Sequence, residues 1–384
     1  MTLRSDGEEA SARAMARTVA RSVGRLLLAA LAPLAVAAAG PAPLEGWRSV
    51  VERTPFWESQ GVYANLTTVR RWVLTRQSFC EQPDRHILYD RRMRFLGYLT
   101  DTGPRHANQQ AINEQRQRLA REQKVLGWVP GDENRTGYPF VLSCHHPDAF
   151  LPDLVGRYAG DDPSARLWGT WDGLRVGSRA QPVSLHAAIR QVYEQRQAEG
   201  RIDLPGHVLA VLAGKVIIES GGGVREARST AGALGIMQLS PGALDDCRLE
   251  ERFRLHRLAQ IDCALYLLQQ NHRNLEPAFK QVFAGLPAAK AERLYRMLLV
   301  QAYHTGMGRV RSLLIDEALN APALYFAAHA SRFTAGDIAL GMIFHNLGRE
   351  DLGFAALYYV ADVTIAAAAA CSRVDDLPGC RDVS

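Results

Sequence analysis

Residues 216–241 read VIIESGGGVREARSTAGALGIMQLSP: an apolar run with one carboxylate, a glycine-rich turn and a second apolar run. Aliphatic residues between positions 208 and 218 recur at helical rather than alternating spacing, which predicts a buried helix with Glu219 near its C-terminal end. Three glycines at residues 221–223 then end that helix. A carboxyl group held among aliphatic side chains is costly to ionise and can keep its proton near neutral pH, as a general acid must. The alternative interpretation is a helix-terminal glutamate in solvent, which composition alone favours.

Short motifs follow this glutamate in a fixed order. They are Glu219-Ser220, GALGIMQ at residues 232–238, AYHTG at residues 302–306, and Tyr359-Val360. In order and spacing they resemble the motifs of soluble lytic transglycosylases, over about residues 205–363. The chain departs from that family at His304-Thr305, where the family usually has Asn-Ala, and it has no Glu-Thr pair before Tyr359.

The resemblance implies an all-α, lysozyme-like catalytic domain in which Glu219 is the catalytic residue. It also implies substrate-binding residues along a saccharide cleft, namely Ser220, Gly235, Met237, Gln238, Tyr303, His304 and Tyr359. Hydroxyl and amide side chains can bond glycan hydroxyl or acetamido atoms, and glycine lets the backbone approach a sugar closely. Tyr359 is expected to hydrogen-bond near the acid or the acetamido group, and Tyr358 is the competing choice after a shift of one residue.

Two of these residues keep a second interpretation. Met237 is either a wall of the cleft or an ordinary core methionine. His304 replaces an amide side chain with a titratable ring, which either adds pH dependence or serves as a passive hydrogen-bonding group.

The chemistry expected of Glu219 depends on whether a second carboxylate is near it, because most glycosidases use two. Glu226 lies in a polar loop, and Asp245 and Asp246 have the character of solvated helix-start residues. A lone acid suits a substrate that supplies its own nucleophile. In the family that this chain resembles, the 2-acetamido group of N-acetylmuramic acid assists departure, and the sugar's 6-hydroxyl then closes a 1,6-anhydro ring.

The leading prediction is therefore a peptidoglycan lytic transglycosylase in which Glu219 acts first as acid and then as base. It is expected to act as a monomer on glycan strands, without metal or cofactor. A hydrolase of the goose-lysozyme type is the second prediction. The third is a non-catalytic glycan-binding or assembly protein on the same scaffold, which the presence of Glu219 disfavours.

Length and composition are those of a globular protein with more than one ordinary domain: 384 residues, 47% hydrophobic, 22% charged, and a formal net charge of +5. Such mild basicity without a concentrated Lys/Arg stripe suits loose attraction to an anionic polymer and argues against nucleic-acid binding.

The N-terminal sequence has the layout of a secretory signal. Residues 26–39 read LLLAALAPLAVAAA, follow spaced arginines and precede small residues, so cleavage is expected after Ala39. Translation from Met15 would leave a purely basic leader before this run. The predicted location is the periplasm, with a membrane anchor as the alternative if the signal is not cleaved.

Export would make the six cysteines an oxidised set. Several pairings are open, and proximity in sequence favours Cys80–Cys144, Cys247–Cys263 and Cys371–Cys380. A metal site at residues 144–146, Cys-His-His, lacks a spaced second ligand pair and is disfavoured.

The predicted fold class is α+β, with three parts. Residues 1–39 are the signal, residues 40–183 a smaller mixed α/β domain of no recognised family, and residues 184–384 the all-α catalytic domain. The mixed part is predicted to form a small sheet that includes an Asp172-Gly173 hairpin turn. It is expected to position the glycan or a cell-envelope protein partner. Four aromatic residues of this part have two interpretations: they form a sugar-stacking surface, or they belong to the core, which is the more common role of such residues. They are Trp128, Tyr158, Trp168 and Trp171.

Helices are predicted from apolar spacing in both parts. Their expected ranges are residues 62–79, 107–126, 184–198, 255–270, 291–303, 309–320, 334–346 and 351–370.

Overall fold

Helices and small antiparallel sheets make up the chain in the computed structural model, which describes residues 47–125, 140–146, 149–350 and 352–380. The helices are α1 (Trp47–Arg53), α2 (Val62–Thr75), α3 (Arg105–Arg121), α4 (Leu151–Ala159), α5 (Leu185–Ala198), α6 (Val208–Ser220), α7 (Pro241–Asp246), α8 (Arg257–Phe283), α9 (Ala288–Thr305), α10 (Met307–Ile315), α11 (Ala321–Ala328), α12 (Ala335–Phe344) and α13 (Phe354–Arg373). The strands are β1 (Arg85–Tyr89), β2 (Phe95–Thr100), β3 (Val141–Ser143), β4 (Gly169–Trp171) and β5 (Leu174–Val176). The predicted α+β class is confirmed at this level. The predicted signal segment and Trp128 lie outside the described residues.

Both sheets lie in the N-terminal half of the chain. One has the order β2-β1-β3 with antiparallel neighbours, and the other is the β4-β5 hairpin. The hairpin turn uses Asp172 at φ 41° and Gly173 at φ 78°, as the predicted Asp-Gly turn requires. Gly169 pairs with Val176 at the open end of this hairpin.

Helix α6 lies at the centre of the C-terminal half, and most of its residues are buried. Its main partner is α13, and the two helices approach closely at Gly214. A Cβ at Gly214 would overlap the carbonyl oxygen of Val363 and crowd the backbone of Ala367 on α13. Only glycine permits this separation, so the sequence of α6 fixes how near the two helices lie.

Helix α13 is the part of the described chain that is long and apolar enough to cross a membrane by length and composition. Within its most apolar window, 61% of the residues are buried inside the protein. It packs against α2, α4, α6 and α9. These contacts give its apolar composition a structural reason, because a helix surrounded by others is apolar on all sides.

Helix α2, from the N-terminal half, packs on α13 and α12 of the C-terminal half. Arg70 on α2 makes two hydrogen bonds of 2.6 Å with the carboxylate of Asp362 on α13, and both side chains are buried. By their contacts, the described residues from Trp47 to Cys380 belong to one compact unit. Independent folding of residues 40–183 and 184–384 stays a prediction.

The cysteines form the pairs that sequence proximity favoured. The disulfides are Cys80–Cys144, Cys247–Cys263 and Cys371–Cys380, and no cysteine is free. The first ties the segment after α2 to the end of β3, the second ties α7 to α8, and the third fastens the C-terminal tail to α13. Because Cys144 is in a disulfide, it is not available as a metal ligand.

Helix boundaries agree best with the sequence where caps define them. Ser184 caps α5 by accepting from the backbone N–H of Ala187, as the sequence predicts. Helix α8 runs well past its expected end at residue 270 and contains Pro277 in its interior. Strands β1 and β2 and helix α4 were not predicted.

Candidate active site

The glycine turn after α6 sets the position of Glu219. Gly221, Gly222 and Gly223 have φ values of 62°, 79° and 104°, in the left-handed region that favours glycine. A Cβ at Gly222 would also overlap the carbonyl oxygen of Leu154 on α4. Helix α6 therefore ends at Ser220, and the backbone changes direction at the three glycines. Glu219 lies in the last turn of the helix, just before this change of direction.

Each carboxylate oxygen of Glu219 has its own partner. The Tyr359 hydroxyl on α13 donates to Oε1. The Lys215 ammonium, one turn earlier on α6, lies 3.0 Å from Oε2. The Lys215 side chain is 3% exposed and that of Glu219 is 16% exposed, so the carboxylate keeps an opening to solvent while its counter-ion does not.

Lys215 is held by more than Glu219. Its Nζ also donates to the carbonyl oxygen of Met237 and lies 3.9 Å from the ring centroid of Tyr303. The Tyr303 hydroxyl donates to the same Met237 carbonyl over 3.3 Å. Burial lowers the pKa of Lys215, and the charge of Glu219 opposes that shift. The ammonium is therefore fixed between α6, the 232–238 loop and α9.

The aromatic side chains around Glu219 are neutral near pH 7. Burial, reinforced by the charge of Glu219, raises the pKa of Tyr303 and of Tyr359 well above the ordinary tyrosine value. His304 stacks on Tyr359 with ring centroids 4.0 Å apart and planes 13° apart. His304 is exposed at the cleft wall, and partial desolvation of its ring against Tyr359 lowers its pKa, while Glu219 raises it and Lys215 lowers it further. A passive neutral ring is the interpretation of His304 that this environment favours.

Glu219 opens into a cleft of about 750 Å³. Its walls include the side chains of Gln238, Tyr303 and His304 among the residues predicted from sequence. Asp246, at the end of α7, lines the same cleft and is exposed. A concave groove with a half-exposed acid at one wall has the size and form of an extended ligand site.

Four of the predicted substrate-binding residues do not line the cleft, although one of them, the buried Tyr359, reaches the site through its hydrogen bond to Glu219. The Ser220 hydroxyl is buried, donates to the Val216 carbonyl over 2.8 Å and accepts from the N–H of Gly223. The Met237 side chain is fully buried in the core, and only its carbonyl serves the site. At Gly235, a Cβ would overlap the Gln260 side chain, so this glycine serves loop packing.

Gln238 lines the cleft but is held by the loop that carries it. Its Nε2 donates to the carbonyls of Ala227 and Gly235 at 3.0 and 2.9 Å. Its φ of 44° is rare for a residue with a side chain. Both amide hydrogens are thereby occupied, which leaves the carbonyl oxygen as the group that a ligand can use.

The N-terminal aromatics divide between core and surface. Tyr158 is 1% exposed and belongs to the core, while Trp168 is 50% exposed. Trp171 packs against Phe253 and donates to Asp262 over 3.1 Å. It lines a second pocket of about 390 Å³ that shares Asp246 with the main cleft.

Lys215 is a residue of this site that the sequence motifs did not predict. It is the one lysine in the run from residue 208 to 218, and it precedes Glu219 by four residues, the spacing at which helix side chains meet. The spacing of four residues is a signal in the sequence that could have indicated the Lys215–Glu219 contact. The contact of Lys215 with Met237 depends on the fold. Within the described residues, no group of three or more His, Cys, Asp or Glu side chains is arranged to hold a metal ion.

No family model, no curated protein and no solved structure matches this chain.

Proposed function

We propose that this chain is a peptidoglycan lytic transglycosylase that cleaves the β-1,4 bond between N-acetylmuramic acid and N-acetylglucosamine. The observation that carries the proposal is the half-buried Glu219 at the wall of a cleft of about 750 Å³, with a phenol hydrogen-bonded to its carboxylate. Such a carboxyl group can deliver a proton to a glycosidic oxygen, which every enzyme that cuts this bond requires. The motif resemblance supplies the substrate class.

In the proposed reaction, Glu219 in its protonated form gives its proton to the leaving oxygen. The 2-acetamido oxygen of the muramic residue attacks C1 as the C1–O bond breaks, so the substrate supplies the nucleophile. The Glu219 carboxylate then takes the proton of the 6-hydroxyl, and that oxygen attacks C1 to close the 1,6-anhydro ring and release the acetamido group. The enzyme returns to its starting protonation state, and no water is consumed.

A hydrolase is the second candidate, and Asp246 is the observation that favours it. This carboxylate lines the same cleft as Glu219, although its sequence context predicts a solvated helix residue. A carboxylate across a groove from the acid can activate a water molecule, as inverting glycosidases do. The two candidates differ in their products.

Mass spectrometry of the fragments released from purified sacculi separates the two candidates. A transglycosylase leaves 1,6-anhydro ends, lighter by one water than the reducing ends that a hydrolase leaves. Asp246→Asn should leave the product distribution and rate nearly unchanged under the first mechanism. Reducing ends from the wild type, together with inactivity of Asp246→Asn, would replace the first candidate with the second.

Glu219→Gln is the direct test of the acid. Glutamine keeps the size and much of the hydrogen bonding but cannot deliver a proton, so sacculus solubilisation should fall at least about 100-fold. Circular dichroism and thermal unfolding check that the variant is folded. Near-normal turnover by the folded variant would remove Glu219 from the mechanism.

The protein would be located in the periplasm and would have binding partners there. Residues 1–39 would direct it to the periplasm, where the glycan strands are and where the disulfides would form. The segment from residue 40 to 183 would contact the glycan or a cell-envelope protein. Fractionation of cells that make the full chain tests the location, and recovery in the cytoplasm would contradict it.

A further inference from the structure

Lys215 is an unusual residue for its position. It lies on α6, a helix whose other buried residues are aliphatic or small, and its side chain is 3% exposed. Burying an ammonium is costly before any pairing, and replacing such ion pairs by apolar residues is often neutral or stabilising. A buried lysine in an aliphatic helix therefore calls for an explanation other than stability.

The contacts of Lys215 converge on the reacting carboxylate. Its Nζ lies 3.0 Å from Oε2 of Glu219, on the side opposite the oxygen that Tyr359 holds. The Met237 carbonyl accepts a second hydrogen bond from Nζ, and the Tyr303 ring lies against it at 3.9 Å. The ammonium is thus anchored by groups other than the carboxylate, so its charge stays in place when Glu219 changes protonation state.

The aromatic groups that face this pair carry no charge near pH 7, and the charged residues nearby are Arg157 and Asp246, which lines the same cleft. Tyr303 and His304 on α9 and Tyr359 on α13 are neutral, for the reasons given above. Arg157 on α4 donates to the carbonyl of Gly221 after the end of α6. Helix α5 approaches the glycine turn through the apolar side chain of Leu185. Within the described residues, Lys215 is the cation in salt-bridge contact with Glu219.

We propose that Lys215 is a positioning residue that sets the pH range over which Glu219 works, through an ammonium fixed beside Oε2. This inference rests on the proposed role of Glu219 as the acid. A fixed positive charge favours the ionised carboxylate. It therefore stabilises the carboxylate formed as the proton leaves for the glycosidic oxygen.

The direction in which the pH profile of kcat/KM should move follows from the charge of Lys215. The reaction needs protonated Glu219, so activity falls on the alkaline side as the carboxyl loses its proton. The neutral variants lack the charge that favours the ionised carboxylate, so the alkaline limb of their kcat/KM profiles should lie at higher pH than that of the wild type. The maximum rate should fall about 10- to 100-fold, because the charge that develops on Glu219 loses its nearest partner.

The experiment measures kcat/KM of the full chain on a soluble peptidoglycan oligosaccharide over a range from acidic to mildly alkaline pH. Lys215→Gln removes the charge and keeps a hydrogen-bond donor, and Lys215→Met removes both. Lys215→Arg keeps the charge and should keep the wild-type alkaline limb. Tyr303→Phe is the matched control, since it removes a hydroxyl from the same Met237 carbonyl without changing any charge. It should lower the rate without moving the limb.

The results separate the inference from the proposed function. If Glu219→Gln is as active as the wild type, the proposed function fails. If Glu219→Gln is inactive but both neutral Lys215 variants keep the wild-type limb, the proposed function stands and the inference is overturned. The inference is equally overturned if neither neutral variant folds while Lys215→Arg does, because the charge would then serve the fold. An upward shift in the neutral variants alone supports it.

Discussion

The Glu219 carboxylate is held by chemically different groups at its two oxygens. A neutral phenol donates to Oε1 and an ammonium lies beside Oε2. Both partners come from buried positions, while the carboxylate itself faces the cleft. The carboxylate is therefore held by buried groups on one side and is open to the cleft on the other.

The Tyr359 hydroxyl should matter for rate more than for stability. A hydrogen bond to a charged group is worth about 1.5–3 kcal/mol, so Tyr359→Phe should lower kcat about 10- to 100-fold. Tyr358→Phe is the matched control, because the neighbouring hydroxyl meets Tyr89 rather than Glu219. Rate measurements with thermal unfolding of both variants decide the matter, and equal rate losses in the two would contradict a specific role for Tyr359.

At this scale the sequence predicts residues that a motif carries and misses those that only the fold brings together. Glu219 at a helix end and the choice of Tyr359 over Tyr358 agree with the geometry. Lys215 was not predicted as a site residue. Its contact with the Met237 carbonyl joins residues that lie 22 positions apart and depends on the fold. Ser220 was expected in the cleft, yet the turn that ends α6 uses its hydroxyl for backbone hydrogen bonds.

The separation of α6 and α13 connects helix packing to the site, because Glu219 and Tyr359 are on opposite helices. Gly214→Ala should force the helices apart, since a Cβ would overlap the backbone of α13. Overpacking of this kind costs about 1–3 kcal/mol, more than the gain in helix propensity of about 1 kcal/mol. Activity should fall with stability as the phenol leaves the carboxylate.

Gly308→Ala on α10 is the control for Gly214→Ala, because a Cβ added at Gly308 would meet nothing within 4 Å. It should be neutral or slightly stabilising in denaturant unfolding. If Gly214→Ala is as stable and active as the wild type, the close approach of the two helices has no consequence.

Elements with local signatures could be predicted, and those without them could not. The Ser184 cap and the Asp172-Gly173 turn are each determined by a few neighbouring residues, so a short stretch of sequence predicts their geometry. Strand β1 was missed because it buries Ile87, Leu88 and Tyr89 in succession, which removes the alternation that indicates a strand. Helix α8 was ended too early, at residue 270, because the polar run at residues 271–274 has the composition of a break, whereas the helix continues through it and through Pro277.

For the whole molecule, the main question is how far the N-terminal half supports the site. The sequence predicts separate folding of residues 40–183, because the pattern changes near residue 184. The Arg70–Asp362 pair crosses that boundary, and Asp362 is three residues from Tyr359 on α13. These contacts lead us to expect that residues 184–384 alone would unfold at lower temperature and cut short glycans slowly. A fragment with wild-type stability and activity would support separate folding.

Arg70→Met tests the same support in the intact chain. It leaves Asp362 buried without its cation, which should lower the free energy of unfolding by about 3–5 kcal/mol. The double variant Arg70→Met/Asp362→Leu should recover most of that loss. Breaking the exposed Arg190–Glu194 pair, as the control, should cost less than about 0.5 kcal/mol. Equal losses from the buried and exposed pairs in urea titrations would contradict this account.

The position of α13 in the chain has a consequence for when the site is completed. Tyr359 and the surface that covers α6 both come from a helix that follows α12 in the order of synthesis. A nascent chain that has emerged only as far as α12 carries Glu219 and Lys215 but lacks the phenol and the packing of α6. Under the proposed function, the chain should cut glycan poorly while it is still being made or threaded across a membrane, and it should reach full activity when α13 docks.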